Sequence, residues 1–206
     1  MLLALEESQL LLVDYQTRLM PAIFEGPQVL ANALKLARIA HLLGVPLWAT
    51  EENASSLGPT VPELQALLTQ AGGRTFAKMQ FSAVEEGLGE LLRPEVQTQS
   101  APKGNARSLP RHLKKQVAAP ERNTIVIAGC ETHVCLLQTA LDLLEDEFEV
   151  WVVTDASSSR TERNRDAAFD RLATAGAELV TTEMVAFEWL RSAEHPAFKE
   201  VLALVK

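Results

Sequence analysis

Short apolar runs recur along the chain, and each one ends at a polar or turn-forming residue. Six of them lie at residues 9–13, 45–50, 74–77, 124–128, 149–154 and 178–181. Apolar runs of four to eight residues between turn signals are typical of strands that are buried in a parallel sheet. The pattern therefore predicts six short strands.

The segments between these runs carry apolar residues at the three- and four-residue spacing of helices. The first such segment has Pro27 near its start and Gly44 at its end, the usual placement of these two residues in a helix. A capping-box pattern at 82–85 predicts another helix that continues to Leu92. Strands that alternate with helices predict one α/β domain over residues 1–206, in which helices cover both faces of a six-stranded parallel sheet.

Residues 93–120 interrupt this alternation. They contain six Lys and Arg residues against a single acid, Glu95, together with several Pro residues. The segment is therefore predicted to be a basic surface excursion. Its charge is compatible with a solvated face, with a flap over a site or with a subunit contact.

Composition narrows the classes of function. The chain has 206 residues and a formal net charge of −8, which argues against a protein that binds nucleic acid by neutralising phosphates. Two cysteines five residues apart make no disulfide framework, and no basic leader precedes the acidic pair at 6–7, so a reduced cytoplasmic setting is expected. No apolar stretch approaches the ~20 residues of a membrane span, and we expect no membrane partner.

Reactive side chains follow several of the predicted strands. They are Asp14, Glu51, Lys78, Cys135 and Asp155. In open α/β sheets, ligands bind beyond the carboxyl ends of the strands. Whether these five residues meet depends on the strand order, which the sequence does not give.

Cys135 is the candidate nucleophile. It follows the strand at 124–128 and is expected in the first turn of a helix, where the helix dipole favours a thiolate. Cysteines are often simply buried, and Cys130 is assigned to that structural class. Together with Asp14 as base and Lys78 as electrostatic stabiliser, however, Cys135 would complete a hydrolytic site.

The turn before that helix could supply the oxyanion donors, as the backbone N–H groups of Glu131 and Cys135. A zinc site on Cys130, His133 and Cys135 is the main competitor. Their spacing fits no established zinc pattern, and no second Cys or His pair completes a tetrahedron. Nucleotide-binding glycine motifs are also missing from the sequence, so neither a metal nor a cofactor is predicted.

Several motifs, in this order, resemble the isochorismatase-like cysteine hydrolases, and most closely the isochorismatase domain-containing subgroup. The segments that carry the resemblance are 12–16 (LVDYQ), 50–53 (TEEN), 57–60 (LGPT), Lys78 with 81–82, 129–135 (GCETHVC), 138–140 (QTA), 153–160 (VTDASSSR) and 195–199 (HPAFK). The resemblance implies a three-layer α-β-α, Rossmann-like domain and a homo-oligomer. It also implies the triad Asp14, Lys78 and Cys135, and a cis peptide between Cys130 and Glu131.

Family members that resemble nicotinamidases carry a metal-binding Asp-x-His, whereas residues 51–53 here read Glu-Glu-Asn. The resemblance therefore implies neither that metal nor nicotinamide as substrate. The family includes enzymes that act on a vinyl ether, on N-carbamoyl amides and on other small amides. Candidate pocket residues are Gln16, Asn53, Phe81 and Thr132, although a packing or turn role fits each of them equally.

The leading hypothesis is a hydrolase that cleaves a small amide-type C–N bond through a thioester on Cys135, with a small molecule as its substrate. A second hypothesis is an enzyme with the same pocket that hydrolyses an ether or ester-like bond. A third is a non-catalytic oligomeric binding or scaffold protein that retains the fold.

Overall fold

All six predicted apolar runs are strands of one sheet in the computed structural model, which describes residues 2–93 and 122–206. The strands are β1 Ser8–Val13, β2 Leu47–Glu52, β3 Arg74–Lys78, β4 Thr124–Gly129, β5 Glu149–Val153 and β6 Glu178–Val180. They are parallel and lie in the order β3-β2-β1-β4-β5-β6. The fold prediction is confirmed, whereas the basic excursion lies outside the described residues apart from Arg93.

Helices cover both faces of this sheet. In the described residues they are α1 Gly26–Leu43, α2 Ala54–Leu57, α3 Pro62–Ala71, α4 Leu88–Leu92, α5 Leu137–Glu145, α6 Glu162–Ala175, α7 Thr182–Leu190 and α8 Phe198–Val205. Successive side chains of a strand point to opposite faces. Leu10 and Leu12 of β1 accordingly pack in the core with α1, α3, α7 and α8, while Leu11 and Val13 pack with α4, α5 and α6.

The strand order places a topological switch point between β1 and β4. The chain starts at β1, moves outward through β2 and β3, and then crosses to β4 on the other side of β1. Connections that leave two neighbouring strands in opposite directions open a crevice at their carboxyl ends, where α/β proteins bind ligands. Asp14 follows β1 and Cys130 follows β4, so both lie at this crevice.

The second strand begins and ends two residues later than predicted. It was expected at 45–50, but Pro46 has no N–H to donate to a ladder, and regular pairing starts at Leu47. The strand therefore includes Glu51 and Glu52. In the register with β3, Glu52 lies directly opposite Lys78.

The helix predicted for residues 82–92 is wrong over its first half. The Ser82 hydroxyl accepts a hydrogen bond from the Val84 N–H but donates its own to the Asp142 carboxylate, which belongs to α5. Gly87, with φ of 96°, then separates a single 3₁₀ turn from the short helix α4. A tertiary contact has thus replaced the local capping box.

Among the described residues, no helix combines the length and the apolar character that crossing a bilayer requires.

Replacement of Gly129 by alanine should destabilise the fold. A Cβ at this position would lie 2.4 Å from the carbonyl oxygen and 2.5 Å from the Cβ of Val13, so the central strands would have to separate. We expect a loss of about 3 kcal/mol in the free energy of unfolding, measured by urea denaturation. Gly44→Ala is the control, because its Cβ would meet no described atom within 4 Å and only its φ of 73° costs about 1 kcal/mol. Equal losses in the two variants would contradict the close approach of β1 and β4.

Candidate active site

Asp14 is the centre of a buried hydrogen-bond cluster at the end of β1. Its backbone has φ of 53°, a left-handed conformation that turns the chain out of the strand. Its Oδ1 accepts hydrogen bonds from the Thr50 hydroxyl at 2.7 Å and from the Glu52 backbone N–H at 3.1 Å. Its Oδ2 accepts one from Lys78 Nζ at 2.8 Å. The carboxylate is therefore fixed in orientation by two neighbouring strands.

Lys78 is the last residue of β3, and its side chain is fully buried. Besides its bond to Asp14, its Nζ donates to Glu52 Oε2 at 3.0 Å. Burial by itself would lower the pKa of Lys78, but the negative charges of Asp14 and of an ionised Cys135, with the two hydrogen bonds, raise it overall. The ammonium is therefore positively charged at neutral pH and is shared by two carboxylates.

Cys135 lies in a π turn, Thr132–Leu136, that leads into α5, and only 6% of the residue is exposed. Burial raises the pKa of its thiol, and so do the negative charge of Asp14 and a hydrogen bond with that carboxylate. The Lys78 ammonium lowers the pKa of the thiol but does not outweigh these effects. At neutral pH the free site therefore holds a protonated thiol beside a carboxylate.

The expected dipole-stabilised thiolate is thus wrong for the free protein. Cys135 is the fourth residue of a five-residue π turn, and no local sequence pattern indicates that its sulfur is buried near carboxylates. The three residues of the predicted triad nevertheless meet, because Asp14 interacts directly with both Lys78 and Cys135. Such an arrangement allows a thiol to lose its proton to a neighbouring carboxylate as it attacks.

The turn before Cys135 contains the cis peptide that the family resemblance implied, between Cys130 and Glu131. The Glu131 carbonyl accepts hydrogen bonds from the N–H groups of Val134 at 3.0 Å and Leu136 at 3.3 Å. In the described ranges, no residue accepts a hydrogen bond from the Glu131 N–H itself. That N–H is therefore unpaired among the described residues, and the oxyanion role of the Glu131 and Cys135 N–H groups stays a prediction.

The side chain of Glu131 holds this turn in place. Its carboxylate accepts hydrogen bonds from the Arg160 backbone N–H at 2.9 Å and from the Arg160 Nε at 3.0 Å. The Thr132 N–H donates to the Ser158 carbonyl at 2.9 Å. Sequence reasoning missed these supports, and the only signal was the presence of 153–160 among the family-like segments.

Glu52 is the charged site residue that the sequence prediction missed. The sequence predicts Glu51 of the same pair, but the Glu51 carboxylate accepts hydrogen bonds from the N–H and hydroxyl of Thr60, both at 2.7 Å, and holds the following loop. Strand alternation was the available signal, because it sends neighbouring side chains to opposite faces once the strand is known to reach Glu52.

Asp155 also stays apart from the triad. Its Oδ1 accepts hydrogen bonds from the N–H of Thr182 at 2.8 Å and from its hydroxyl at 2.9 Å, at the start of α7. Of the five strand-end residues, Asp14, Lys78 and Cys135 are therefore brought together, while Glu51 and Asp155 support loops and helices.

Two of the four candidate pocket residues have structural contacts. The Gln16 side chain donates to the carbonyls of Glu52 at 2.9 Å and Gly58 at 2.7 Å, and accepts from the Glu52 N–H at 3.0 Å. Its amide is therefore committed to the loop after β2. Asn53 has φ of 39°, and its Oδ1 accepts a hydrogen bond from the Ser55 hydroxyl at 2.8 Å.

The other two candidates differ in exposure, and neither side chain is committed to a hydrogen bond within residues 2–93 and 122–206. Thr132 is fully buried, and its hydroxyl has no hydrogen-bond partner in the part of the chain that the structure describes. Phe81 is 51% exposed and lines a cavity of about 330 Å³. Gln138, one turn beyond Cys135, also lines it, but the triad residues do not.

A comparison with protein families finds that residues 8–184 match the isochorismatase domain. A relative that is similar over nearly all of this chain is isochorismatase domain-containing protein 2 of Rattus norvegicus, which is 35% identical over 201 residues. The alignment covers 98% of this chain and 82% of the relative.

Solved structures agree with this assignment. The MAR1 ribonuclease of Caenorhabditis elegans is 29% identical with a TM-score of 0.80, over 100% of this chain and 92% of that one. YcaC of Pseudomonas aeruginosa, with hexane-2,5-diol and covalent acrylamide, is 28% identical with a TM-score of 0.76, over 98% and 91%. The YcaC gene product of Escherichia coli, described as an octameric hydrolase of unknown specificity, is 25% identical with a TM-score of 0.74, over 98% and 95%.

Replacement of Asp14 by Asn should make the Cys135 thiol more acidic, because it removes the negative charge and the acceptor beside the sulfur. The midpoint of the pH dependence of alkylation by iodoacetamide, followed by intact mass, is expected to move to lower pH. At pH 8 the labelling rate should rise by about tenfold. Asp170→Asn, at an exposed position of α6, should leave the profile unchanged. A midpoint that stays in place or rises in Asp14→Asn would show that the carboxylate does not act on the thiol.

Proposed function

The chain belongs to the isochorismatase family of hydrolases, and on that basis we propose that it is a cysteine hydrolase that cleaves small amide-type C–N bonds through a covalent thioester on Cys135. The observation that carries this proposal is that the buried Cys135 thiol interacts electrostatically with a carboxylate that is itself held by a lysine ammonium at 2.8 Å. The three groups supply a nucleophile, a base and a fixed positive charge at one point of the switch-point crevice.

In the first half of the reaction, the Cys135 sulfur attacks the carbonyl carbon of the amide and its proton passes to Asp14. The negative charge that develops on the carbonyl oxygen is met by the N–H groups of Glu131 and Cys135. Collapse of this intermediate breaks the C–N bond, and the proton on Asp14 passes to the leaving nitrogen. An amine or ammonia is released, and the acyl group remains on sulfur as a thioester.

In the second half, water attacks the thioester while Asp14 takes one of its protons. The C–S bond breaks, the acid is released, and the proton returns to the Cys135 sulfur. Lys78 keeps the Asp14 carboxylate in one orientation throughout and compensates the negative charge of the transient thiolate. The site therefore returns to its starting protonation state after each turnover.

An amide suits this site better than an ether or ester-like bond. Amine leaving groups need a proton before they can depart, and a base that has just taken the thiol proton can supply it. The related Pseudomonas aeruginosa structure is described with covalent acrylamide, which alkylates thiols by addition at its alkene, and this supports a reactive nucleophile in the family. We further propose Thr132 and Phe81 as substrate contacts, because one has a buried hydroxyl without a partner and the other has an exposed ring.

The proposal includes a homo-oligomer and a reduced, cytoplasmic setting. The octameric state of the Escherichia coli relative supports the first. Both cysteines are free, and a thiol nucleophile has to remain reduced, which supports the second.

Light scattering coupled to gel filtration is expected to give a mass several times that of one chain, and a monomer at micromolar concentration would contradict the oligomer.

The decisive experiment is an assay of small aliphatic amides that follows ammonia release and intact mass. The wild type should turn over at least one amide and show an acyl adduct, whereas Cys135→Ala should lose both. Asp14→Asn is expected to lower kcat by at least about a hundredfold, because the thiol proton then has no acceptor.

Cys130→Ala is the matched control, since it removes the other buried thiol and should retain turnover. RNA belongs in the panel because the Caenorhabditis elegans relative is described as a ribonuclease. Hydrolysis of an ether or ester without any amide turnover would favour the second hypothesis. If the wild-type thiol is accessible but the protein shows neither turnover nor an adduct, the hydrolase proposal is wrong. The non-catalytic scaffold hypothesis would then be favoured.

A further inference from the structure

Glu52 brings a second carboxylate to the thiol and the lysine. It ends β2, opposite Lys78 in β3, and its Oε2 accepts a hydrogen bond from Nζ at 3.0 Å. None of the described residues donates a hydrogen bond to its other carboxylate oxygen, Oε1. The carboxylate of Asp14, in contrast, accepts hydrogen bonds at both oxygens. Glu52 therefore retains a free acceptor.

The carboxylates of Asp14 and Glu52 also differ in their exposure to solvent. The side chains of Asp14 and Lys78 are 0% exposed, whereas that of Glu52 is 11% exposed. Glu52 is thus the charged member of the cluster that solvent can reach.

The charges in the cluster do not balance. Asp14 and Glu52 each carry one negative charge and Lys78 carries one positive charge, while the Cys135 thiol is neutral. These are also the charged groups that act on the Cys135 thiol from the strands and the turn around it. A largely buried site with one excess negative charge disfavours an anionic ligand and favours a positively charged one.

We propose that Glu52 selects the substrate by charge, so that the site accepts small amides that carry an amino or other cationic N–H donor group and rejects anionic ones. The Oε1 of Glu52 accepts the donor group, while the amide carbonyl lies at Cys135. This inference rests on the proposed hydrolase function, and it specifies the substrate class of that same site.

The first test measures charge selection without turnover. Cys135 is labelled with 2-aminoethyl methanethiosulfonate, which is cationic, and with 2-sulfonatoethyl methanethiosulfonate, which is anionic and of similar size, and intact mass gives the two rates. The wild type should react faster with the cation, and Glu52→Gln should reduce the cation-to-anion ratio by about ten- to a hundredfold. Loss of the Glu52 charge also makes the thiol more acidic, but that change affects both reagents equally and cancels in the ratio.

Two controls accompany this test. Glu51→Gln removes the neighbouring negative charge, which faces Thr60 rather than Lys78, and should leave the ratio unchanged. Cys135→Ala should show no labelling, because Cys130 is fully buried. Thermal unfolding of each variant verifies that the fold is retained.

The second test uses three amides of similar size: 4-aminobutanamide, butanamide and succinamate. In the wild type, kcat/KM should fall in that order from cation to anion. Glu52→Gln should reduce the difference in kcat/KM between the cationic and the anionic amide. Hydrolysis of these amides without a charge preference, or a reagent ratio that Glu52→Gln leaves unchanged, would overturn the role of Glu52 and leave the proposed function standing. A ratio that falls in Glu52→Gln, with no amide hydrolysed, would instead retain the charge selection and overturn the amidase proposal.

Discussion

The hydrogen bonds that Lys78 donates to two carboxylates are the constraint on which the rest of the site depends. A buried ion pair repays the cost of removing its charges from water only when its geometry is good and further hydrogen bonds support it, and loss of one member leaves an uncompensated charge that costs about 3–5 kcal/mol. Here the sheet meets that requirement, because Glu52 lies opposite Lys78 and Asp14 follows the adjacent strand. The pairing of β1, β2 and β3 therefore determines which charged side chains meet at the site.

The protonation state of Cys135 follows from this cluster. A helix terminus stabilises a negative charge by about 0.3–2 kcal/mol, whereas burial shifts a pKa by up to about 3–5 units, each of which corresponds to about 1.4 kcal/mol. Burial and the carboxylates therefore outweigh the dipole, and the thiol stays protonated until a base removes its proton. This explains why the site places Asp14 in contact with the sulfur.

In the proposed mechanism, the turn that precedes Cys135 supplies the oxyanion donors from the backbone rather than from a charged side chain. Glu131 contributes its N–H, while its carboxylate is bound by Arg160 from the segment after β5. Two adjacent strands thus hold the backbone, and the oxygen of a substrate would meet donors that are already oriented. The Glu131 carboxylate is thus occupied by Arg160, whereas the Glu52 carboxylate retains an unused acceptor.

The sequence by itself determined the six strands and the parallel sheet, because apolar periodicity is a local property of the chain, and it predicted Asp14, Lys78 and Cys135 among its strand-end candidates. It did not distinguish Glu51 from Glu52, since that choice depends on where β2 ends and on its register with β3. It also misjudged the thiol and the helix at Ser82, because burial of Cys135 and the hydrogen bond from Ser82 to Asp142 arise only when distant segments pack together. Tertiary structure decided these features, since burial and the contact between charges are set by residues far apart in the chain.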